Sequence, residues 1–152
     1  MPSIITLHKR ERLILVGARK DLSDDIKFEF PQKSEERLML RDVLKNVPKS
    51  EGAIYSEGKE KIFRLVPPGG NWKDIDSSVA KEYMKTCWDM DGGRTGILRR
   101  LSFDEPGLTV LTTPQMKQTE RCHPSEIRPF TIRENARIQS FPDDWEFVGS
   151  VA

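Results

Sequence analysis

The chain has 152 residues, enough for one domain with a short extension, and 25 Lys and Arg against 24 Asp and Glu leave a net charge of +1. That balance excludes a polybasic arm and an acidic tail, but it leaves room for a cationic face backed by an acidic scaffold. Cys87 and Cys122 cannot build a disulfide framework, no CxxC or HxxxH spacing offers a zinc site, and no apolar run has signal-peptide or membrane-spanning length. A cytoplasmic chain with reduced thiols, no metal and no membrane contact is therefore expected.

The first element is Glu11 to Arg19, whose continuous Leu13-Ile14-Leu15-Val16 run reads as a strand buried on both faces. Such strands belong to large parallel sheets, and the chain holds no βα repeat to build one. The strand is orphaned, and is expected to be mispaired, disordered or used in a chain–chain contact such as a dimer. A second strand spans Ile26 to Phe30, stopped by Pro31. Leu40, Val43, Leu44 and Val47 recur at i, i+3, i+4 and i+7, which predicts an amphipathic helix ended by Pro48. Ser56 caps a second helix carrying Ile62, Phe63, Leu65 and Val66, terminated at Pro67-Pro68. A third follows Ser77-Ser78, with Ala80, Tyr83, Met84, Cys87 and Trp88 on one face, so Cys87 reads as core rather than reactive.

Beyond Gly92-Gly93 the pattern changes. Leu98 to Phe103 and Leu108 to Thr113 predict two strands joined through Asp104-Glu105-Pro106-Gly107, followed by a cationic loop from Pro114 to Arg128. The last helix, residues 131–141, opens on the capping box Thr131-x-x-Glu134 and ends at Phe141-Pro142. The fold class is α+β.

Neither Pro67-Pro68-Gly69-Gly70-Asn71 nor Asp91-Gly92-Gly93-Arg94 has the preceding strand and following helix of a phosphate loop, so both read as turns. No Ser–His–acid or Cys–His arrangement has supporting context. The stronger signal is Arg94, Arg99, Arg100, Lys117, Arg121, Arg128 and Arg133, interleaved with Gln115, Gln118, Thr109, Thr112, Thr113 and Thr119. Arg and Gln read guanine and adenine edges by paired hydrogen bonds, while Thr and Lys suit phosphate oxygens. A solvated surface with ordinary ion pairs is the competing reading.

The order of residues adds a resemblance. Arg128-Pro129-Phe130-Thr131-Ile132-Arg133-Glu134-Asn135-Ala136-Arg137-Ile138-Gln139-Ser140-Phe141-Pro142-Asp143 strongly resembles the ninth motif of DNA cytosine-5 methyltransferases. His8-Lys9-Arg10-Glu11-Arg12-Leu13-Ile14-Leu15-Val16-Gly17 resembles the eighth, with His8 where the family usually has Gln. The stretch between, with Gly69-Gly70-Asn71-Trp72-Lys73-Asp74 and Asp104-Glu105-Pro106…Thr109-Val110, is similar to the target-recognition region of bacterial members.

The resemblance implies that residues 1–20 give a strand to a Rossmann-like catalytic domain elsewhere, and that 21–152 form the small target-recognition domain. Neither Cys87, after Thr86, nor Cys122, after Arg121, follows Pro as the family nucleophile does. A Phe-x-Gly-x-Gly loop for S-adenosylmethionine, a Glu-Asn-Val site and a Gly-Asn-x-x-Pro tenth motif are also missing, so the chain alone should be inactive and bind no cofactor. It implies a supporting catalytic role for Arg12, and a lesser one for Arg10. It also implies partners: double-stranded DNA, and a domain or subunit bearing the Pro-Cys and S-adenosylmethionine motifs, in a restriction-modification system. The expected DNA contacts are Arg94, Arg99, Arg100, Thr109, Gln115, Lys117, Gln118, Thr119, Arg121 and His123. Arg133, Glu134 and Arg137 are expected to pair along one helix face as a structural network. The alternative is a non-catalytic, sequence-specific DNA-binding module.

Overall fold

The computed structural model describes residues 13–17, 19, 21, 28–30, 37–90, 95–111 and 116–149. Among the described residues four helices follow in order: α1 (Leu40–Val43), α2 (Glu57–Phe63), α3 (Ser77–Met84) and α4 (Ile132–Ile138). Short 3-10 turns lie at Trp72–Asp74, Lys85–Trp88 and Lys117–Thr119. None of these helices is long and apolar enough to cross a membrane.

Each helix stops where local chemistry stops it. The first is only one turn, shorter than its periodicity predicts, because Asn46 takes a left-handed φ of 53° before Pro48 is reached. Helix α2 begins after Ser56, whose carbonyl accepts the Glu60 amide, and unwinds through a turn ahead of Pro67. Asp76 caps α3 by accepting from the amides of Ser78 and Val79 at 2.8 and 3.4 Å. That helix breaks at Lys85, φ 51°, so Cys87 and Trp88 lie on the 3-10 turn and not on the predicted continuous face, though both still pack on the core. Helix α4 ends at Ile138, three residues before Phe141, since Ser140 turns the chain at φ 66°.

The two strands predicted over 98–103 and 108–113 are not formed among the described residues. Leu98 sits at φ 49°, which no strand accommodates. The carbonyls of Phe103 and Glu105 are engaged by the Arg41 and Leu40 amides at 3.1 and 2.9 Å. These are orphan donors at the start of α1, so the turn after Leu101 caps a helix instead of closing a hairpin. Among the described residues pairing is reduced to two isolated bridges that place Cys122 between Arg100 and Pro129. Residues 28–30, within the predicted Ile26 to Phe30 strand, and 13–17 join no ladder among the described residues, and Leu13 and Leu15 are 89% and 88% exposed.

Two apolar clusters form the core. One gathers Tyr55, Phe63, Val66, Met84, Ile97, Leu98 and Cys122; the other Leu40, Val43, Leu101, Phe130 and Ile138. The segment 97–101 feeds both, and its backbone bonds to Cys122 (Leu101 N–H to the Cys122 carbonyl at 3.0 Å, Cys122 N–H to the Arg99 carbonyl at 2.9 Å) fix the 116–128 stretch to the core.

Candidate nucleic-acid interface

A buried polar site surrounds the start of α4. Thr131 Oγ1 accepts the Glu134 amide at 3.3 Å, and Glu134 returns by accepting the Thr131 amide at 2.8 Å, closing the predicted capping box. The Glu134 carboxylate is buried and also receives a fork from Arg128, Nη1 to Oε2 at 2.8 Å and Nη2 to Oε1 at 2.9 Å. The other side of the Arg128 guanidinium reaches Glu126, with two bonds of 3.0 Å. His123 lies beside this pair, its Nε2 3.7 Å from Glu134 Oε1 and its ring between Phe103 and Phe130, centroids 5.9 and 5.4 Å away.

The electrostatics follow from burial and pairing. Burial alone would raise the Glu134 carboxyl, but the bonds from Arg128 and the Thr131 amide outweigh it and hold it below its ordinary value. Burial lowers the His123 imidazole, with Glu134 opposing only in part. His123 Nδ1 accepts from the Ser125 and Glu126 amides at 3.3 and 3.2 Å, which fixes the neutral ring with its proton on Nε2. Burial pushes the Cys122 thiol up to about 11, the character of an inert core residue.

The three charged residues of α4 serve different neighbours rather than one another. Glu134 turns to Arg128. Arg137 binds the carbonyls of Val43, Lys45 and Asn46 at 3.1, 2.6 and 3.1 Å, fastening the end of α1 to α4, and pairs with Asp143 at 2.8 and 2.5 Å. Arg133 reaches the Pro142 carbonyl at 3.3 Å and lies over the Phe147 ring.

The residues expected to meet DNA are distributed unevenly. Arg99 is spent on the Gly69 carbonyl and Glu105, and Arg100 on the carbonyls of Val66 and Pro124. Both hold backbone, as buried His123 does. Thr109, Thr119 and Arg121 come together with Asn135 along a small cleft of about 30 Å³. The Arg121 guanidinium donates to the carbonyls of Glu120 and Gly96 at 2.8 and 3.5 Å, and its buried Nε has no partner. Burial, then Arg99, lowers its pKa. Lys117 donates to the Tyr83 carbonyl at 2.8 Å, and Gln118 is exposed on the same turn. Arg10, Arg12, Arg94 and Gln115, like Thr112 and Thr113, lie outside the described residues.

Sequence reasoning missed a second buried polar centre. Glu120 is fully buried and accepts from Tyr83 Oη at 2.5 Å and the Leu98 amide at 3.0 Å, with Lys59 Nζ 2.8 Å away. Its donors come from α2, α3 and the 97–101 segment, a convergence that no local spacing signals.

These buried polar centres sit in a chain that matches the family model for C-5 cytosine-specific DNA methylase over residues 6–152. The chain belongs to that DNA methylase family. Among its relatives, Type II methyltransferase M.PspPI from a Psychrobacter species is 53% identical over 94% of this chain and 36% of its own length. M.Eco47II from Escherichia coli is 50% identical over 95% of this chain and 36% of its own, and M.Sau96I from Staphylococcus aureus 54% over 94% and 34%. The chain thus spans about a third of these DNA methylase relatives. No solved structure matches it.

The Gly69-Gly70 turn is closed by its own chain and leaves no cradle there for the family's S-adenosylmethionine. Gly69, at φ 83°, donates to the Leu101 carbonyl, the Gly70 carbonyl accepts the Arg100 amide, and a Cβ on Gly70 would meet Pro67 at 2.9 Å. That turn is packed against its own chain. The second glycine pair, Gly92-Gly93, lies outside the described residues.

Proposed function

We propose that the chain is the DNA target-recognition portion of a DNA cytosine-5 methyltransferase of a restriction-modification system. The carrying observation is the family match over residues 6–152 combined with coverage of only about a third of each relative. In this reading residues 1–20 lend a strand to the catalytic domain and 21–152 make an α+β recognition domain. The exposed apolar side chains of Leu13 and Leu15 support a sheet completed by another part of the enzyme.

Methylation at C5 needs a thiolate for C6, an acid near N3 and a bound methyl donor. With no Pro-Cys and no S-adenosylmethionine loop in these residues, the chain alone transfers no methyl group. Its own contribution is to grip the duplex around the cytosine that leaves the stack. Arg12, supported by Arg10, offers the catalytic portion a rigid, permanently charged donor fork.

In this reading Lys117, Gln118 and Thr119 on one turn meet the duplex, and Thr109 and Arg121 line the cleft that Thr119 also borders; Arg94 and Gln115 belong to the proposed set but lie outside the described residues. Arg99, Arg100 and His123 shape the surface from beneath. Titration of a mixed-sequence duplex at several salt concentrations tests this. Binding whose log–log slope is about −0.9 per neutralised phosphate is expected, and Lys117→Met should reduce it by about one such step. Affinity independent of salt, or no duplex affinity, would overturn the reading.

A further inference from the structure

We infer that Tyr83 and Glu120 are positioning residues for sequence reading, holding the Lys117–Thr119 turn in the one register at which Gln118 presents its amide to a base edge. The inference rests on the recognition reading above and adds two residues that do not themselves meet DNA.

Tyr83 grips the turn from both sides. Its carbonyl accepts Lys117 Nζ at 2.8 Å and its ring lies 4.8 Å beneath that same ammonium. Its hydroxyl donates to Glu120, the residue that immediately follows the turn. Between these holds stands Gln118, exposed.

Glu120 cannot drift. A buried carboxylate is tolerated only when its oxygens are satisfied, and Lys59, Tyr83 and the Leu98 amide approach it from three separate parts of the chain. The turn closes on itself through the Thr119 amide to the Met116 carbonyl at 3.0 Å. Gly96 forms the wall behind it: a Cβ there would collide with the Gln118 carbonyl, so that backbone has no room to shift inward. A base-reading amide works only if it is held to a fraction of an ångström, and this arrangement supplies the holding.

The test is selection from a pool of randomised duplexes by the full 152-residue chain, comparing the unaltered protein with Tyr83→Phe and Glu120→Gln. The first removes one oxygen and the second keeps the side-chain size, so a folding loss in one leaves the other to report. The unaltered chain should enrich one motif. The variants should bind mixed-sequence duplex with an unchanged salt slope while discriminating about tenfold less between that motif and its single-base neighbours. Unchanged discrimination in both variants would overturn the inference and leave the recognition reading standing. Loss of all duplex binding by folded variants would also overturn it, since the pair would then support the whole surface and not its register. If the unaltered chain enriches no motif, both fall together.

Discussion

Arg128 holds Glu134 through two parallel N–H···O bonds of 2.8 and 2.9 Å, and thereby ties the loop before α4 to the cap of α4 itself. One carboxylate oxygen also caps the helix by accepting from Thr131, so the loop and the helix start share a single acceptor group. The 123–128 segment, carrying His123 and leading back to the Lys117–Thr119 turn, is set by that shared group.

Removing Glu134 should therefore cost more than altering Arg128. The Glu134 side chain is 9% exposed and that of Arg128 26%, so water can partly replace what Arg128 loses. Glu134→Ala should lower the unfolding free energy by about 3 kcal/mol, and Arg128→Lys, which keeps the charge but loses the fork, by about 1 kcal/mol. Urea unfolding followed by circular dichroism measures both. The reverse order would mean that the loop, not the helix cap, depends on this pair.

Stability should decline on mild acidification. Burial sets folded His123 below its ordinary 6.5, so between the two values the unfolded chain binds more protons and stability rises with pH. The contribution is present above about pH 6.5 and is lost as pH falls toward the folded value. Glu134, held below its ordinary 4.5 by Arg128 and Thr131 against the cost of burial, adds a loss of the same sign further down. One proton corresponds to a slope of at most about 1.4 kcal/mol per pH unit. His123→Gln should flatten melting temperature against pH between about pH 7 and pH 5.5. An equally steep curve in the variant would remove His123 as the cause.

Arg137 offers a local readout. Its bonds to the carbonyls of Val43, Lys45 and Asn46 tie the end of the one-turn helix α1 to α4, beside the apolar packing of Leu40 and Val43 on Ile138. Arg137→Ala should cost about 2 kcal/mol and raise amide exchange over residues 40–46 more than over α2. Uniform exchange along the chain would instead indicate global loosening.

What could be read in advance was what neighbours in sequence decide. The Thr131–Glu134 box and the Pro67 stop are local, and each stands where the residue types place it. Among the described residues the predicted hairpin does not form, because a strand needs a partner ladder and Phe103 and Glu105 give their carbonyls to α1 instead. Cationic side chains were the hardest case. Arg99, Arg100 and Gln118 look alike as polar recognition residues, yet the arginines bind internal carbonyls and only Gln118 is exposed. The Lys59–Glu120 pair was invisible because its partners meet only through tertiary packing.

Gly96→Ala should separate packing from charge. The added methyl would strike the Gln118 carbonyl, which is backbone and cannot swing away as a side chain would. Destabilisation of about 1–3 kcal/mol is expected, together with weaker duplex binding although no charge has changed. A variant of normal stability and normal binding would show that the turn has slack.

The most direct measurement is reconstitution. The chain is mixed with the catalytic part of a relative such as M.Sau96I lacking its own corresponding third, and transfer of labelled methyl from S-adenosylmethionine to duplex cytosine is followed. Transfer by the mixture, with none by either part alone, is the expected result. Transfer by this chain alone, or none from a mixture in which both parts are folded, would contradict its role as the recognition portion of a cytosine-5 methyltransferase.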